Sequence, residues 1–490
     1  MSDNNSLFTL LDLPNDESII IENVTEKDGV KSVEVSQKLR PTFCPICHNR
    51  MHSKGIYTRT VNHSIYQDRT TLELKIKQRR WYCQKCDYSK NDEFPFVEKR
   101  KRSTSLTQLL ILDAMKDLNS SAISIAKRFN VSDSYVHDTF SQYVDLKRLK
   151  LPEYISIDEV FININDNMKY AFVIMDFVTG EIVDILHNRW SNTLEKFFLS
   201  IPLEERKIVK GVISDAYGVY QTLCEKYLPN AVQILDSFHA CNFIIHELTL
   251  YINDLLRKYR NKQRKLLDDI NSTSNQHQES IKDSKEIILL RDYRWVILKN
   301  DDDINYSYLS HFHKKLNMSL TTDMICKMFF DLDPNLEKMK NLKELYISFN
   351  KNSYSDVSEI ESKLDELITI YRDSGFSQFI KFANFLSSFK PNIIRSFTTL
   401  VVYRKSKKDQ LDYYARLSNG PMESFNRKPK DFKRNSRGFS NFDYTRNRIL
   451  WATRINPPIL AVPKPIAEVH SYKLDKRTLA LRRKNKMSSK

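Results

Sequence analysis

The sequence predicts a multidomain protein in which a small metal-held β module and a helical hairpin precede an α/β core interrupted by a large all-α insertion. Three observations predict it. Two Cys-x-x-Cys pairs, Cys44/Cys47 and Cys83/Cys86, lie close together near the start. Apolar runs of strand length, several ending in aspartates, fill 151–246. A long charged helical stretch, 247–412, then separates them from the turn-rich segment "SNGPMESFNR", where a basic run begins.

The bulk composition narrows the function classes. A chain of 490 residues exceeds what one core usually organises, so two to four domains are expected. Apolar residues at 41% and aromatics at 11% argue against wholesale disorder. Lys and Arg number 77 against 61 Asp and Glu, a net charge of +16, so the natural partner is a polyanion. No apolar run approaches the ~20 residues that cross a bilayer. The acidic start "MSDNNSLFTLLDLPNDESII" lacks the basic residues and cleavage site of a signal peptide. Nucleic acid is therefore expected as the partner rather than a membrane, and the cytoplasm as the location.

Residues 1–40 carry no clear organisation. In 41–100, the stretch "LELKIKQRRWYC" alternates as a strand, with Leu72, Leu74 and Ile76 on one face. A two-residue gap lets both thiolates of a knuckle reach one tetrahedral ion, and two knuckles supply four sulfurs with no open position. Cys44, Cys47, Cys83 and Cys86 thus predict a zinc ribbon holding a structural Zn²⁺. A redox pair or metal-free thiols are the alternatives, and His48, His52 and His63 are substitute ligands. After the basic linker "VEKRKRSTS", residues 101–150 contain "SSAISIAKRFNVSDSYVHDTFSQYV". It fits a helix-turn-helix: Ala126 for close contact, Asn130 at the turn, Val131 buried, Ser132 as cap, Val136 toward the core. Lys127 and Arg128 would face phosphates, and Ser134, Tyr135 and His137 the groove. An ordinary helical hairpin is the competing reading.

In 151–246, "YISIDEVFI", "KYAFVIMDFV" and "EIVDILHNRW" predict an antiparallel meander, and a helix follows. "RKIVKGVISDAYGVY" and "NAVQILDSFHACNFI" each run from apolar residues into aspartate and helix, as buried parallel strands do. This order matches a ribonuclease H-like core. The final catalytic helix of that core is expected within 413–457, and 458–490 as a basic tail ending "SYKLDKRTLALRRKNKMSSK". Trp295 in the insertion reads as a core residue, with stacking on a displaced base as the alternative.

Asp158 lies in the first strand of this core and Asp215 at the end of the fourth, and in such a sheet these strands are neighbours. Adjacent carboxylates repel unless a cation sits between them, and oxygen ligands select Mg²⁺ or Mn²⁺. Glu423 is the third acid: Pro421 can open a helix, with Asn426 and Lys430 following Glu423 on one face. Arg427, Lys428, Lys430, Lys433, Arg434, Arg437, Arg446, Arg448 and Arg454, against Asp431 and Asp443, would supply positive charge for the flanking phosphates. Glu159, Asp166, Asp176 and Asp184 read as caps or surface charges.

These residues carry a resemblance. "SIDEVF", "VISDAYGVY", "PNAVQILDSFHACN", "RWVILKN" and "SNGPMESFNRKPKDFKRNSRGFSNFDYTRNRIL" are similar to motifs of the ISL3 family of DDE transposases of bacterial insertion sequences. The resemblance implies that Asp158, Asp215 and Glu423 form the catalytic triad and bind two divalent ions. It implies DNA cleavage at the element's ends followed by strand transfer to target DNA. Terminal inverted repeats would be read by the ribbon and helix-turn-helix, with Asn426, Arg427, Lys430, Arg434 and Arg437 also on DNA. Asp236 and His239, in "DSFH", would support the site, although Ser237 stands where the family often has arginine. A homodimer on paired ends, in a bacterial nucleoid, is expected from the same resemblance. A DNA-binding regulator without catalysis and a metal-dependent nuclease without strand transfer are the rival classes.

Overall fold

The computed structural model describes residues 2–65, 71–99, 101–164, 169–273, 283–403, 413–436 and 441–470. Asp166, Arg437 and the tail from 471 onward lie outside the described residues.

Residues before 41, which showed no organisation in the sequence, complete the first sheet. Helix α1 (Ser2–Leu10) is followed by the hairpin β1 (Ile19–Lys27) and β2 (Val30–Gln37). Asp28 and Gly29 turn it with φ of 52° and 74°, which the Asp-Gly dipeptide tolerates. Strand β2 pairs in parallel with β4 (Thr71–Cys83), β4 pairs antiparallel with β3 (His52–His63), and β5 (Tyr88–Asn91) joins the end of β4. Leu72, Leu74 and Ile76 are buried on the shared face as the alternation required, against Val33, Val35, Val61 and Phe94. His63 is no ligand candidate: its ring is buried between the hydroxyl of Thr104 and the carbonyl of Leu11.

Helices α2 (Ser105–Ala114), α3 (Ala122–Arg128) and α4 (Asp133–Tyr143) follow. Thr104, Ser121 and Ser132 cap them, each hydroxyl accepting from the backbone N–H three residues on. Asn130 takes φ 50° at the turn. Ala126 and Val136 are buried as expected, whereas Val131 is half-buried at the edge of the cluster.

The second sheet has the order β10-β9-β6-β7-β8. Strands β6 (Tyr154–Phe161), β7 (Tyr170–Asp176) and β8 (Ile182–Leu186) form the antiparallel meander. Helices α5 (Ser191–Leu199) and α6 (Leu203–Arg206) lead to β9 (Gly211–Ser214), parallel to β6, and α7 (Gly218–Tyr227) leads to β10 (Val232–Leu235), parallel to β9. Gly211 is required where β9 is squeezed: a Cβ there would lie 2.7 Å from both Ile234 and Tyr154.

The expected break at 246/247 has no counterpart, because one helix, α8 (Ser237–Thr273), runs through it from the end of the sheet. Around α8 pack α9 (Lys285–Asp292), α10 (Trp295–Leu298), α11 (Thr322–Phe330), α12 (Asn335–Lys351), α13 (Val357–Asp373), α14 (Ser377–Ser388) and α15 (Lys390–Arg395). Trp295 packs against this core, partly buried. The insertion is not all-α: β11 (His311–His313) pairs with β12 (Met318–Leu320), and β13 (Thr399–Val402) pairs with β14 (Tyr413–Arg416) across the expected boundary at 412. Each pair is held by backbone bonds too few to leave a periodic signature in sequence.

The chain returns through α16 (Gly420–Asn435) and α17 (Phe442–Thr453). Three arginines counted as DNA-facing are structural instead. Arg446 pairs with buried Asp184 at 2.5 Å, so neither is a surface charge. Arg454 donates to the carbonyls of Lys147, Ile182 and Val183. Arg448 is only 1% exposed, donates to the carbonyls of Asp117 and Ser120 between α2 and α3, and lies over the Phe432 ring. The three-helix unit is thereby bolted to the core.

Two outcomes follow. Arg448→Met should lower stability by roughly 1.5–3 kcal/mol, because two carbonyls of the loop between α2 and α3 lose a charged donor; the urea midpoint and hydrogen exchange in α2 and α3 measure it. Burial holds the His63 imidazole below its usual pKa, so the folded state favours the neutral ring. The stability this confers is complete above about pH 6.5. It is lost as pH falls toward the depressed value, and exchange protection across β3 and β4 should drop between pH 7.5 and 5.5 in the native chain but not in His63→Gln.

Candidate functional site

Asp158 sits within β6, opposite Val173 of β7. One carboxylate oxygen accepts from the Glu159 N–H at 2.8 Å and the other from the Asn426 side-chain amide at 2.8 Å. Burial pushes its pKa up to about 6. Asp215 stands one residue past β9, the parallel neighbour of β6, and accepts from the Tyr217 N–H at 3.0 Å. Burial raises its pKa also.

Glu423 comes to the same sheet end because of how α16 docks. Asn419, immediately before the helix, is buried: its N–H donates to Asp236 at 3.1 Å and its side-chain amide to the carbonyl of Ile157 at 3.1 Å. Asn426, two turns on, donates to Asp158. Glu423 is four residues after the first anchor and three before the second, so all three share one helix face. The Glu423 carboxyl is raised by burial first, then by the charge of Asp236.

Asp236 stands one residue past β10, with His239 Nε2 4.0 Å from its carboxylate. Burial also raises the pKa of Asp236. The buried oxygens Asp236 Oδ2, Asn419 Oδ1 and Asn426 Oδ1 accept no hydrogen bond from the described chain. Unpartnered oxygens beside carboxylates raised by burial fit a hard cation. The carboxylate oxygens of Asp158, Asp215 and Glu423 do not all lie within 4.8 Å of one another.

Sequence reasoning missed Asn419, although the 419/423/426 spacing is that of one helix face. It also missed Glu159, whose carboxylate accepts from Arg189 at 2.9 Å and from the Tyr220 hydroxyl. Alternation along β6 was the available signal, since it sends Glu159 to the face opposite Asp158, where α7 lies.

The residues expected on DNA divide. Lys127, Arg128 and Ser134 are exposed, as are Arg427, Lys430 and Arg434 along α16. His137 is exposed with its ring 5.1 Å from Tyr444. Tyr135 turns inward, its hydroxyl meeting Ser103 and accepting from Gln108 at 3.1 Å. Asn426 is corrected: at 6% exposure its amide is spent on Asp158 and does not reach outward to a phosphate.

In the first sheet, the sulfurs of Cys44, Cys47, Cys83 and Cys86 all lie within 4.8 Å of one another, the one such group of His, Cys, Asp and Glu among the described residues. Cys47 and Cys83 sulfurs are 3.6 Å apart, close to the ~3.8 Å edge of a tetrahedron with ~2.3 Å metal–sulfur bonds. Met51 and Trp81 pack beside them. A strong chelator should release one divalent ion per chain and unfold the knuckles, read as lost exchange protection at 42–51 and 81–91. Cys44→Ser should lose the ion without treatment.

Comparison with known proteins agrees with this layout. A family model described as "Transposase", of the ISL3 DDE type, matches residues 155–449, well over half of the chain, from β6 through most of α17. Across 237 residues the chain is 21% identical to "Transposase for insertion sequence element IS1001" of Bordetella parapertussis, covering 47% of this chain and 52% of that protein. The chain therefore spans about half the length of this curated relative. Among the described residues, no helix is long and apolar enough to cross a membrane.

Proposed function

The chain belongs to the ISL3 family of DDE transposases, and from that premise we propose that it cuts the ends of an insertion sequence and joins them to target DNA with Asp158, Asp215 and Glu423. The observation that carries this reading is the 2.8 Å bond from Asn426 to Asp158, which ties the helix bearing Glu423 to the strand bearing Asp158 across 268 residues of sequence. The strand order, a meander flanked by two parallel strands, supports a ribonuclease H-like core split by the insertion.

Asp158, Asp215 and Glu423 would hold two Mg²⁺ or Mn²⁺ ions. Bound there, the ions supply activation of the attacking water or 3′-hydroxyl and neutralise charge on the phosphate. The residues of the chain do the rest. Asn426 fixes one oxygen of Asp158, and the Tyr217 N–H fixes one of Asp215. His239 stands beside Asp236, its Nε2 4.0 Å from that carboxylate. Arg427, Lys430 and Arg434 line the exposed side of α16, where the flanking DNA backbone would run. The four-cysteine knuckles, holding Zn²⁺, and the α3–α4 pair would read the terminal inverted repeats, with a homodimer pairing two ends in the bacterial nucleoid.

Purified protein, Mg²⁺ and DNA carrying the element's ends test this. The native chain should give cut and joined products. Asp158→Asn, Asp215→Asn and Glu423→Gln should each reduce cutting to background, with end binding within about three-fold of the native chain, since the acids act as a unit. No cutting by the native chain would favour a regulator, and cutting without joining a nuclease.

A further inference from the structure

At the same sheet end, on the Glu159 side of β6, runs a line of exposed rings and cations that the chemistry above does not use. Phe161 ends β6, three residues past Asp158, and is 42% exposed. Tyr170, its partner on β7, is 47% exposed, and the two rings lie 5.2 Å apart. Lys433 of α16 places its ammonium 4.6 Å from the Phe161 ring centre. On the other side, the Arg189 guanidinium is 5.8 Å from the Tyr170 ring and 5.0 Å from that of Tyr217, itself 42% exposed and two residues past Asp215. Arg189 is held in place by its bond to Glu159. The order along the rim is Lys433, Phe161, Tyr170, Arg189, Tyr217, with 52% exposed Trp190 next to Arg189.

We propose that this rim binds unpaired nucleotides of the DNA end next to the cleaved phosphate. The proposal rests on the transposase reading for its location, and on the surface itself for its ligand. Large rings left half in water at a sheet end, with a cation between or over them, offer what single strands require: faces for bases and positive charge for the phosphates joining them. A paired duplex keeps its base faces stacked inside and cannot use such rings, so the occupant is a frayed or displaced strand. An uncharged protein partner would have no use for the interleaved cations.

The test uses the full-length chain and two probes at fixed salt: a labelled twelve-nucleotide oligothymidine and a labelled 30-base-pair duplex. Stacking is worth about 1–3 kcal/mol per base, roughly 5- to 150-fold in affinity. Phe161→Ala with Tyr170→Ala should therefore weaken oligothymidine binding about ten-fold or more while duplex affinity changes less than about two-fold. Phe161→Tyr with Tyr170→Phe should restore it. Photocrosslinking of an oligothymidine bearing 5-iododeoxyuridine should map to Phe161, Tyr170 or Tyr217. Unchanged oligothymidine affinity, equal loss on both probes, or crosslinks confined to other segments would overturn the proposal. So would a native dimer that the double alanine variant dissolves, which would assign the rim to a second copy. The two readings fail separately: a native chain that cuts DNA with no rim effect loses only the rim, and one that never cuts but shows the rim effect loses only the transposase reading.

Discussion

The site depends on the seating of one helix on one strand. Burial of Met422, Phe425, Pro429 and Phe432 presses α16 onto the sheet, but apolar contact is non-directional and tolerates sliding. Register comes from the two asparagines, whose amides reach the Ile157 carbonyl and the Asp158 carboxylate. A slip of one residue would rotate the helix by about 100° and carry Glu423 off the sheet end. Two neutral hydrogen-bond donors therefore decide where an anion sits. Neutral amides suit the task, because a lysine or arginine at either position would compete with a cation for the same carboxylates.

The insertion reaches the same helix from the other side. Arg416, in β14 just before α16, is half-buried and lies 3.4 Å over the Phe397 ring. It donates to the carbonyls of Ser396 and Asn350, and burial lowers its pKa to about 10. Asn350 belongs to α12, so the helical body and the strand leading into α16 are joined by hydrogen bonds. Arg448 and Arg454 repeat the device beyond α16, joining α17 to the loop between α2 and α3 and to β8. The core is thus gripped before and after α16 by buried or half-buried guanidiniums satisfied mainly by backbone carbonyls.

What could be read in the sequence were the features with short-range periodicity or fixed spacing. Alternation gave β4 and the meander, the cysteine pairs gave the sulfur cluster, and a cap residue followed by helical spacing gave α3 and α4. The β1–β2 hairpin has a local signal in Asp28-Gly29, but the strands on either side mix charged and apolar residues and the preceding stretch is acidic, which hides it. Charge was the poorest guide. Arg446, Arg448 and Arg454 look like Arg427 or Lys430 on the page, and only the third dimension shows which cations meet carbonyls and which meet water. Asn426 was put on the right helix face and given the wrong neighbour for the same reason. The boundary at 246/247 failed because a 37-residue helix carries no local mark of leaving one core for another.

The electrostatics of the acids set a limit on how stable this corner of the fold can be on its own. Asp158, Asp215, Asp236 and Glu423 are all raised by burial, and each pair that senses the other raises it further. Arg189, Arg416 and Arg427 offset part of this at Asp215, Asp236 and Glu423 respectively, but burial remains the first cause at each acid. Screening over ~8 Å in physiological salt weakens more distant cations. The local balance is therefore unfavourable unless positive charge enters the cluster itself. A fold that keeps four carboxylates half-dehydrated around unpartnered oxygens gives up stability at that point, and what it retains is a place where a small, highly charged cation gains more than water can offer it.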